Sequence, residues 1–359
     1  MPVHPSPIDP YGWTIEEIEA QNGEPEQPER GLQAAPPPFA PQAPVSYAEV
    51  SDDQSPNYRH LQAGPVAAPF VLSPQALANL CRLNDFTAVE HAGEHVLFGL
   101  RGCTLVGADD GEFHQEIAVR EVAIDHQTTQ CVLGVWRRGP EPAVAAFVGS
   151  TVPNLGMVVK SVRGLANANM LPTGLHRFVV GKHRYVRGAF RESGPRVVVR
   201  AHGEVHYDVH DAFVAGSPCD NIHPSFHPGD RGFSSAGCQT IRGTASRGEP
   251  QKSFDHQDGP GWRTFRVRAG LEEPATPADD GRRFFYVLLT GRDLALAGGG
   301  DEAYRRLRMG SEGDRVKDLQ RSLGISADGS FGKGTALAWI ARQQAAHGLS
   351  DGIFVPGQE

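Results

Sequence analysis

The run Cys131-Val-Leu-Gly-Val-Trp136, followed after a turn by Ala143-Val-Ala-Ala-Phe-Val148, decides the fold class of this chain. Both runs are rich in Val and aromatic residues, which favour strands, and Gly139-Pro140 between them favours a turn. Similar runs, with little helical periodicity between them, are His95-Val-Leu-Phe-Gly99, Arg177-Phe-Val-Val180, Arg196-Val-Val-Val-Arg200 and Phe284-Phe-Tyr-Val-Leu-Leu289. The pattern predicts a mainly antiparallel β domain over residues 71–300.

The amino-terminal part has a different composition. Residues 1–70 are rich in proline and poor in large apolar residues, which predicts a disordered leader. The β domain that follows begins with a helix, because Ser73 can cap it and Pro74 suits its first position. The start Met1-Pro-Val-His-Pro has neither a basic nor an apolar signal region, and no run approaches 18 apolar residues. We therefore expect no ordinary secretory signal and no membrane span.

The last part, residues 305–359, returns to helix. Val316, Leu319 and Leu323 fall on one helix face, and a second helical run begins at Thr335. Two similar Asp-Gly turns, Ala327-Asp-Gly-Ser-Phe-Gly332 and Ser350-Asp-Gly-Ile-Phe354, predict a small bundle with repeated loops.

This carboxy-terminal part resembles the peptidoglycan-binding domain type 1 family. The resemblance is carried by Leu307-Arg-Met-Gly-Ser-Glu-Gly-Asp-Arg-Val-Lys-Asp-Leu-Gln-Arg-Ser-Leu-Gly324 and by the two Asp-Gly turns. It implies a three-helix module that binds peptidoglycan glycan or stem peptide. Where that family has an aromatic residue followed by Gln, this chain has Gln343-Gln344, and a buried Gln there needs a hydrogen-bonding partner.

Charge and cysteine content narrow the function classes. The formal net charge of -8 argues against a nucleic-acid partner, since phosphate backbones are bound by clustered Lys and Arg. The five cysteines contain no Cys-x-x-Cys pair, so a structural zinc ribbon is not expected. A disulfide that involves Cys219 stays open. Neither a cofactor nor a resident metal is expected.

The segment from Asn221 to Gly243 concentrates the candidate chemistry. A thiol becomes a useful nucleophile when a histidine removes its proton, and His223 and His227 precede Cys238 by 15 and 11 residues. Gly237 allows close backbone approach to an acyl substrate, and the N–H groups of Gly237 and Cys238 could stabilise an oxyanion. A cysteine that follows small residues can equally be an inert buried side chain.

A histidine followed about fifteen residues later by Ser-x-Gly-Cys resembles the L,D-transpeptidase catalytic domain family. Leu171-Pro-Thr-Gly174 occupies the place of that family's Thr-Pro-x-Gly turn. The resemblance implies a β-sandwich-like domain in which Cys238 is the nucleophile and His223 its general base. Ser235 would orient the histidine or line the oxyanion region, and Gly237 matches the glycine before the nucleophile. It also implies attack on the diamino acid carbonyl of a stem tetrapeptide, loss of D-alanine, and resolution by an amine or by water.

Four further residues are candidates for substrate binding: Arg242, His227, Ser234 and Asn221. The family places an arginine two residues after the cysteine. That position is Thr240 here, and Arg242 is the nearest arginine. The family's His-Gly is here His223-Pro224.

Two other hypotheses about the function stay open. His206, His210, His223 and His227, with Asp220 and Asp230, could form the zinc site of a wall peptidase. A non-catalytic wall-binding or particle-structural protein would need no reactive thiol. Because the expected site of action is the periplasm or cell wall and no signal peptide is found, we expect delivery by a secretion system, a phage-like particle or a lysis route, with residues 1–70 as the contact to that partner.

Overall fold

The Val- and Phe-rich runs form strands because branched and aromatic side chains pack well on a pleated sheet. The computed structural model describes residues 51–52, 66–107, 110–194, 196–200, 212–216, 219–226, 233–348 and 350–357. The predicted disordered leader lies almost wholly outside these residues.

In chain order the strands are β1 (Ser51–Asp52), β2 (Phe70–Leu72), β3 (His95–Arg101), β4 (Cys103–Leu105), β5 (Ile117–Glu121), β6 (Ile124–Asp125), β7 (Cys131–Arg137), β8 (Ala143–Ser150), β9 (Gly174–His183), β10 (Val186–Glu192), β11 (Arg196–Arg200), β12 (Ala212–Gly216), β13 (Ile222–Pro224), β14 (Gln239–Ile241), β15 (Thr244–Ala245), β16 (Ser253–Phe254) and β17 (Arg283–Thr290). The α-helices are α1 (Pro74–Leu83), α2 (Leu155–Val162), α3 (Trp262–Arg268), α4 (Gly291–Ala297), α5 (Asp314–Ser322) and α6 (Lys333–His347). Short 3-10 turns lie at Thr87–His91, Pro277–Asp279 and Glu302–Tyr304.

Eight strands close into a barrel in the order β10-β13-β14-β8-β7-β3-β17-β9. The prediction of a mainly β domain is confirmed. The sheet closes into a barrel where a β-sandwich was expected, because no edge strand is left unpaired: β13 joins β10 to β14, and β17 joins β9 to β3. Most neighbours are antiparallel, but β13 with β14 and β17 with β3 are parallel pairs.

The barrel interior is filled by aromatic side chains. Phe147, Phe190 and Tyr286 are fully buried, and α3 closes the cluster with Trp262 and Phe265. The ring of Phe190 meets Trp262 and Phe265 edge-on, at centroid distances of 6.2 and 5.6 Å. Burial of each side chain of this size contributes roughly 1.5–3 kcal/mol, so this cluster supplies much of the apolar stabilisation of the barrel.

A second apolar layer lies outside the barrel, where α1 and α4 pack together. The predicted start of α1 is confirmed, because the Ser73 side chain accepts from the backbone N–H of Ala76 at 3.2 Å, with Pro74 next in the chain. Within the described residues, every helix is too short or too polar to cross a lipid bilayer.

Two α-helices, α5 and α6, occupy the described residues of 305–359, where the resemblance implied three. The predicted stripe is buried at Val316 and Leu319, with Leu323 packed against the same cluster. This part of the chain contacts the rest of the structure. Its core includes Val197 of β11, and the backbone N–H of Leu175 donates to the carbonyl oxygen of Met309 at 2.9 Å.

The two Asp-Gly turns have the same internal support. Gln320 donates to Asp328 Oδ1 at 2.7 Å and accepts from the N–H of Gly329 at 2.8 Å. Gln343 donates to Asp351 Oδ1 at 2.7 Å and accepts from the N–H of Gly352 at 3.0 Å. In each case the Gln stands eight residues before the Asp, so the buried Gln343 has the hydrogen-bonding partner that its position requires.

A buried ion pair joins this carboxy-terminal part to the barrel domain. The Arg308 guanidinium is within 2.9 Å of Asp293 Oδ1, and its Nη1 donates to Thr173 Oγ1 at 2.8 Å. Asp293 also caps α4 together with Thr290. The α5–α6 region therefore has one buried polar junction with α4 of the barrel domain, and its apolar core packs against β11 and β12.

Candidate functional site

The parallel pairing of β13 with β14 brings the predicted nucleophile and base together. His223 lies opposite Thr240, and Ile222 lies opposite Gln239. Cys238 is the residue directly before β14, the strand that pairs with β13, and β13 carries His223. The backbone N–H of Gln239 donates to the carbonyl oxygen of Asn221 at 2.8 Å, which holds the start of β14 against β13.

A serine-braced turn presents Cys238. Ser235 Oγ accepts from the N–H of Gly237 at 3.0 Å and donates to the carbonyl oxygen of Cys238 at 2.7 Å. Ser235 therefore stabilises the turn that carries Cys238. The Gly237 N–H was expected to stabilise an oxyanion, but in the structure it donates to Ser235 Oγ. The Cys238 side chain is buried, and its Sγ lies 3.7 Å from the carbonyl oxygen of Cys219.

Position 237 requires glycine for a steric reason. A Cβ placed there would lie 2.1 Å from Asp220 Oδ1 and 2.8 Å from the carbonyl oxygen of Asn169. Contacts below about 3.0 Å are not tolerated against backbone. The Ser-x-Gly-Cys pattern thus has a local cause: the carboxylate of Asp220 fills the space that any larger residue would need.

His223 is buried and held by its own strand. Its Nδ1 lies 2.7 Å from the carbonyl oxygen of Pro224, and its ring lies 5.2 Å from the Phe226 ring. A carbonyl can only accept, so Nδ1 carries the proton and Nε2 carries the lone pair. Pro224, at the position where the resembled family has glycine, supplies the carbonyl that orients the His223 ring.

A second histidine, which the sequence did not single out, completes the site. His183 ends β9, and its ring stacks on His223 with the centroids 4.9 Å apart and the planes 8° apart. Asn221 Nδ2 lies 2.7 Å from His183 Nδ1, and Asn221 Oδ1 accepts from the N–H of Glu192 at 2.9 Å. Asn221, predicted to bind substrate, is buried behind the rings and contacts His183.

One nitrogen from each ring and the sulfur of Cys238 lie within 4.8 Å of one another. This is also the set of described residues that could hold a metal ion. Three points no more than 4.8 Å apart fit within a circle of about 2.8 Å radius, while Zn²⁺ binds nitrogen at about 2.0–2.1 Å and sulfur at about 2.3 Å. The other predicted zinc ligands, His206, His210, His227 and Asp230, lie outside the described residues.

Asp220 lies beneath the cysteine turn. Burial raises the pKa of its carboxyl group well above the ordinary value, the charge of Glu192 adds to this, and the charge of Arg200 opposes it. Its backbone N–H donates to Glu192 Oε2 at 3.2 Å. Its Oδ2 has no hydrogen-bond partner among the described residues. The buried carboxyl group behind Gly237 therefore holds a proton more tightly than an exposed aspartate does.

The remaining predicted substrate contacts differ in their surroundings. Ser234 is exposed, and its backbone N–H donates to the carbonyl oxygen of Ser225 at 3.0 Å. Arg242 is half-buried, with its Nε 3.4 Å from Thr129 Oγ1. His227 lies outside the described residues. Thr240, at the position of the family's arginine, is fully buried in the barrel wall, where an arginine would need a charged partner.

The thiols differ in their surroundings. All five cysteines are in the described residues, and none is joined in a disulfide. Burial raises the pKa of Cys81 to about 12 and raises the pKa of Cys103 further still. Burial therefore disfavours the thiolate form of both core thiols. Cys238, by contrast, has two imidazole rings within reach of its sulfur.

Comparison with known proteins adds no assignment, because no family model, no curated protein and no solved structure matches this chain.

Proposed function

We propose that this chain is a cysteine-dependent enzyme of the L,D-transpeptidase or L,D-carboxypeptidase type that acts on the stem peptides of bacterial peptidoglycan. One observation carries the proposal: Cys238 Sγ and an imidazole nitrogen of His223 lie within 4.8 Å, and Pro224 holds His223 with its lone pair on Nε2. A thiol beside an oriented basic imidazole is the minimal arrangement for acyl transfer.

In the proposed reaction, His223 Nε2 takes the proton of the Cys238 thiol. The thiolate attacks the diamino acid carbonyl of a stem tetrapeptide and forms a tetrahedral intermediate. When the intermediate collapses, the peptide C–N bond breaks, and His223 returns the proton to the amine of D-alanine. An amine of a second stem peptide, or water, then attacks the thioester, gives its proton to His223 and releases the thiolate.

The proposal extends to the fold family and to the carboxy-terminal part. We assign the barrel domain to the L,D-transpeptidase catalytic type and residues 305–359 to a peptidoglycan-binding module. The repeated support of the Asp-Gly turns by Gln320 and Gln343 favours the module, because it gives the two turns of the motif one geometry. The enzyme would act in the periplasm or cell wall, with residues 1–70 as its contact to a delivery system.

Mass spectrometry of purified tetrapeptide muropeptides incubated with the full chain tests the proposal. The wild type should release D-alanine and form either crosslinked dimers or tripeptides, and Cys238→Ala should form neither. Cys81→Ala is the matched control, because it removes a remote core thiol and should leave turnover intact. Identical product spectra for wild type and Cys238→Ala would overturn the enzymatic assignment. Turnover that a chelator abolishes, and that survives in Cys238→Ala, would replace it with the zinc peptidase.

A further inference from the structure

The two stacked imidazoles of the site carry their protons on different nitrogens. For His223, the carbonyl oxygen of Pro224 fixes the proton on Nδ1. For His183, the partner of Nδ1 is the side-chain amide of Asn221, at 2.7 Å. The amide has one end that accepts and one that donates, so the tautomer of His183 depends on which end faces the ring.

The orientation of that amide is decided by the backbone of β10. The N–H of Glu192 points at Asn221 Oδ1, at 2.9 Å. Turning the amide over would set its NH₂ group against this N–H, two donors facing each other in a buried position. Asn221 Nδ2 therefore faces His183. An amide nitrogen can only donate, so His183 Nδ1 accepts, and the neutral ring carries its proton on Nε2.

This arrangement limits what His183 can do. A neutral imidazole has one basic nitrogen, and that of His183 is already occupied by a buried hydrogen bond from Asn221. Either a proton from Cys238 or a metal ion would need that lone pair. Both would have to displace the amide, and the displaced NH₂ group would then be buried without an acceptor.

We infer that Asn221 is a positioning residue that locks His183 in the Nε2–H tautomer, which reserves the proton of Cys238 for His223 and keeps the His183–His223–Cys238 cluster from chelating a divalent cation. The first half rests on the proposed function, since it assumes that His223 serves Cys238 as base. The second half does not, since it concerns only the lone pairs available to a metal ion.

The usual surroundings of zinc-binding histidines explain why the Asn221 amide decides whether this cluster can bind a metal ion. Histidines that bind metals usually donate their second N–H to a carboxylate or a carbonyl. His223 meets that condition through Pro224, whereas His183 faces a donor. The three residues have metal-ligand identities and near-ligand spacing, but one of them is held with the wrong nitrogen protonated.

Nitrogen-15 NMR of the histidine side chains in the wild-type chain tests the lock directly. At a pH where both rings are neutral, His183 should show the Nε2–H tautomer and His223 the Nδ1–H tautomer, with assignments from His183→Gln and His223→Gln. In Asn221→Asp the carboxylate still accepts from Glu192 but can no longer donate, so His183 should change to Nδ1–H. Observation of Nδ1–H for His183 in the wild type would overturn the inference.

Cobalt binding provides the second measurement. The full-length Asn221→Ala variant leaves either nitrogen of His183 able to bind, so Co²⁺ should bind at least about tenfold more tightly than to wild type. A thiolate-to-cobalt absorption band should accompany binding and be absent in the double variant with Cys238→Ala. Equally tight binding with the same band in the wild type would overturn the metal exclusion. If Asn221→Ala does not fold, the NMR of wild type and Asn221→Asp decides.

These readouts separate the inference from the proposed function. Tautomers as expected, together with no turnover of stem peptides, would overturn the enzymatic proposal and leave the lock intact. Turnover that depends on Cys238, together with Nδ1–H on wild-type His183, would leave the enzyme intact and overturn the lock.

Discussion

The rings of His183 and His223 lie almost parallel, 8° apart, with their centroids separated by 4.9 Å. Nδ1 of His223 faces the carbonyl oxygen of Pro224 at 2.7 Å, whereas Nδ1 of His183 faces the amide nitrogen of Asn221 at 2.7 Å. The equivalent nitrogens of the two stacked rings therefore face an acceptor in one case and a donor in the other.

The first prediction concerns the base. Replacing His223 by Gln should lower kcat/KM for stem peptides by about 10²–10⁴, the usual contribution of a positioned general base. The matched control is His114→Gln, which alters a half-exposed histidine paired with Asp110 and should leave the rate unchanged. Steady-state kinetics on tetrapeptide muropeptides measures both. Equal rates for wild type and His223→Gln would exclude His223 as the base.

The second prediction concerns the glycine before the nucleophile. Gly237→Ala should lower the free energy of unfolding by about 1–3 kcal/mol, since its Cβ would overlap Asp220 and the backbone of Asn169. Gly334→Ala is the control, because that position in α6 has open space around it and alanine favours helix, so a gain of about 0.5–1 kcal/mol is expected. Urea unfolding gives both values. An unchanged midpoint for Gly237→Ala would contradict the steric explanation.

The third prediction concerns Asp220 and pH. Its carboxyl pKa is raised in the folded state above the ordinary value of 3.8, so the folded chain holds this proton more tightly than the unfolded chain. The resulting stabilisation is complete below pH 3.8 and is lost as pH rises through the folded-state pKa, with a slope of up to about 1.4 kcal/mol per pH unit.

Asp220→Asn should remove this dependence. The difference in unfolding free energy, variant minus wild type, should therefore increase as pH rises above 3.8. Urea unfolding at a series of pH values measures it. Parallel pH profiles for the two proteins would show that Asp220 titrates alike in the folded and unfolded chain.

The fourth prediction concerns the thiols. Iodoacetamide at neutral pH should modify Cys238 faster than Cys81, because the pKa of Cys81 is raised to about 12 by burial and little thiolate is present. Peptide mass mapping of the native chain at several times gives the two rates. Modification of Cys81 before Cys238 would argue against an activated thiol in the site. His223→Gln should slow only the modification of Cys238.

The fifth prediction concerns the junction between barrel and carboxy-terminal part. Arg308→Met should lower the free energy of unfolding by about 3–5 kcal/mol, because it removes the guanidinium that lies 2.9 Å from the buried Asp293 carboxylate. Arg321→Met removes an exposed ion pair with Asp318 and should cost at most about 1 kcal/mol. Calorimetry of the full chain should show one transition for barrel and module. Two separate transitions in the wild type would contradict a shared core.

The local features of the fold could be predicted from the sequence. The Val- and Phe-rich runs indicated strands, Ser73-Pro74 indicated the start of α1, and the helical run from Thr335 corresponds to α6. Closure of the sheet into a barrel could not be predicted, because it depends on which distant strands pair. The two-strand contact of β13 with β14 is only three residues long and leaves no periodic signal.

Only part of the site could be predicted, because the rest of it also depends on which distant strands pair. Cys238 and His223 stand in one short segment, so spacing and residue type could indicate them. His183 lies 40 residues before His223 and reaches it only through the pairing of β9, β10 and β13. Nothing in its neighbours Lys182 and Arg184 marks it. Asn221 was noticed, but its contact with His183 depends on Glu192, which lies on a third segment.

The buried pair of Arg308 and Asp293 also bears on how the chain would meet a polymer. When two domains are joined by a loose linker, binding by one domain raises the local concentration of the other domain's ligand. The linker allows this over a range of distances between the two ligands. A module fixed to the barrel has no such range: under the proposed function, a glycan bound to the module and a stem peptide at Cys238 would stand at one separation and one angle. Such an enzyme would act on those glycan strands whose stem peptides project at a matching interval.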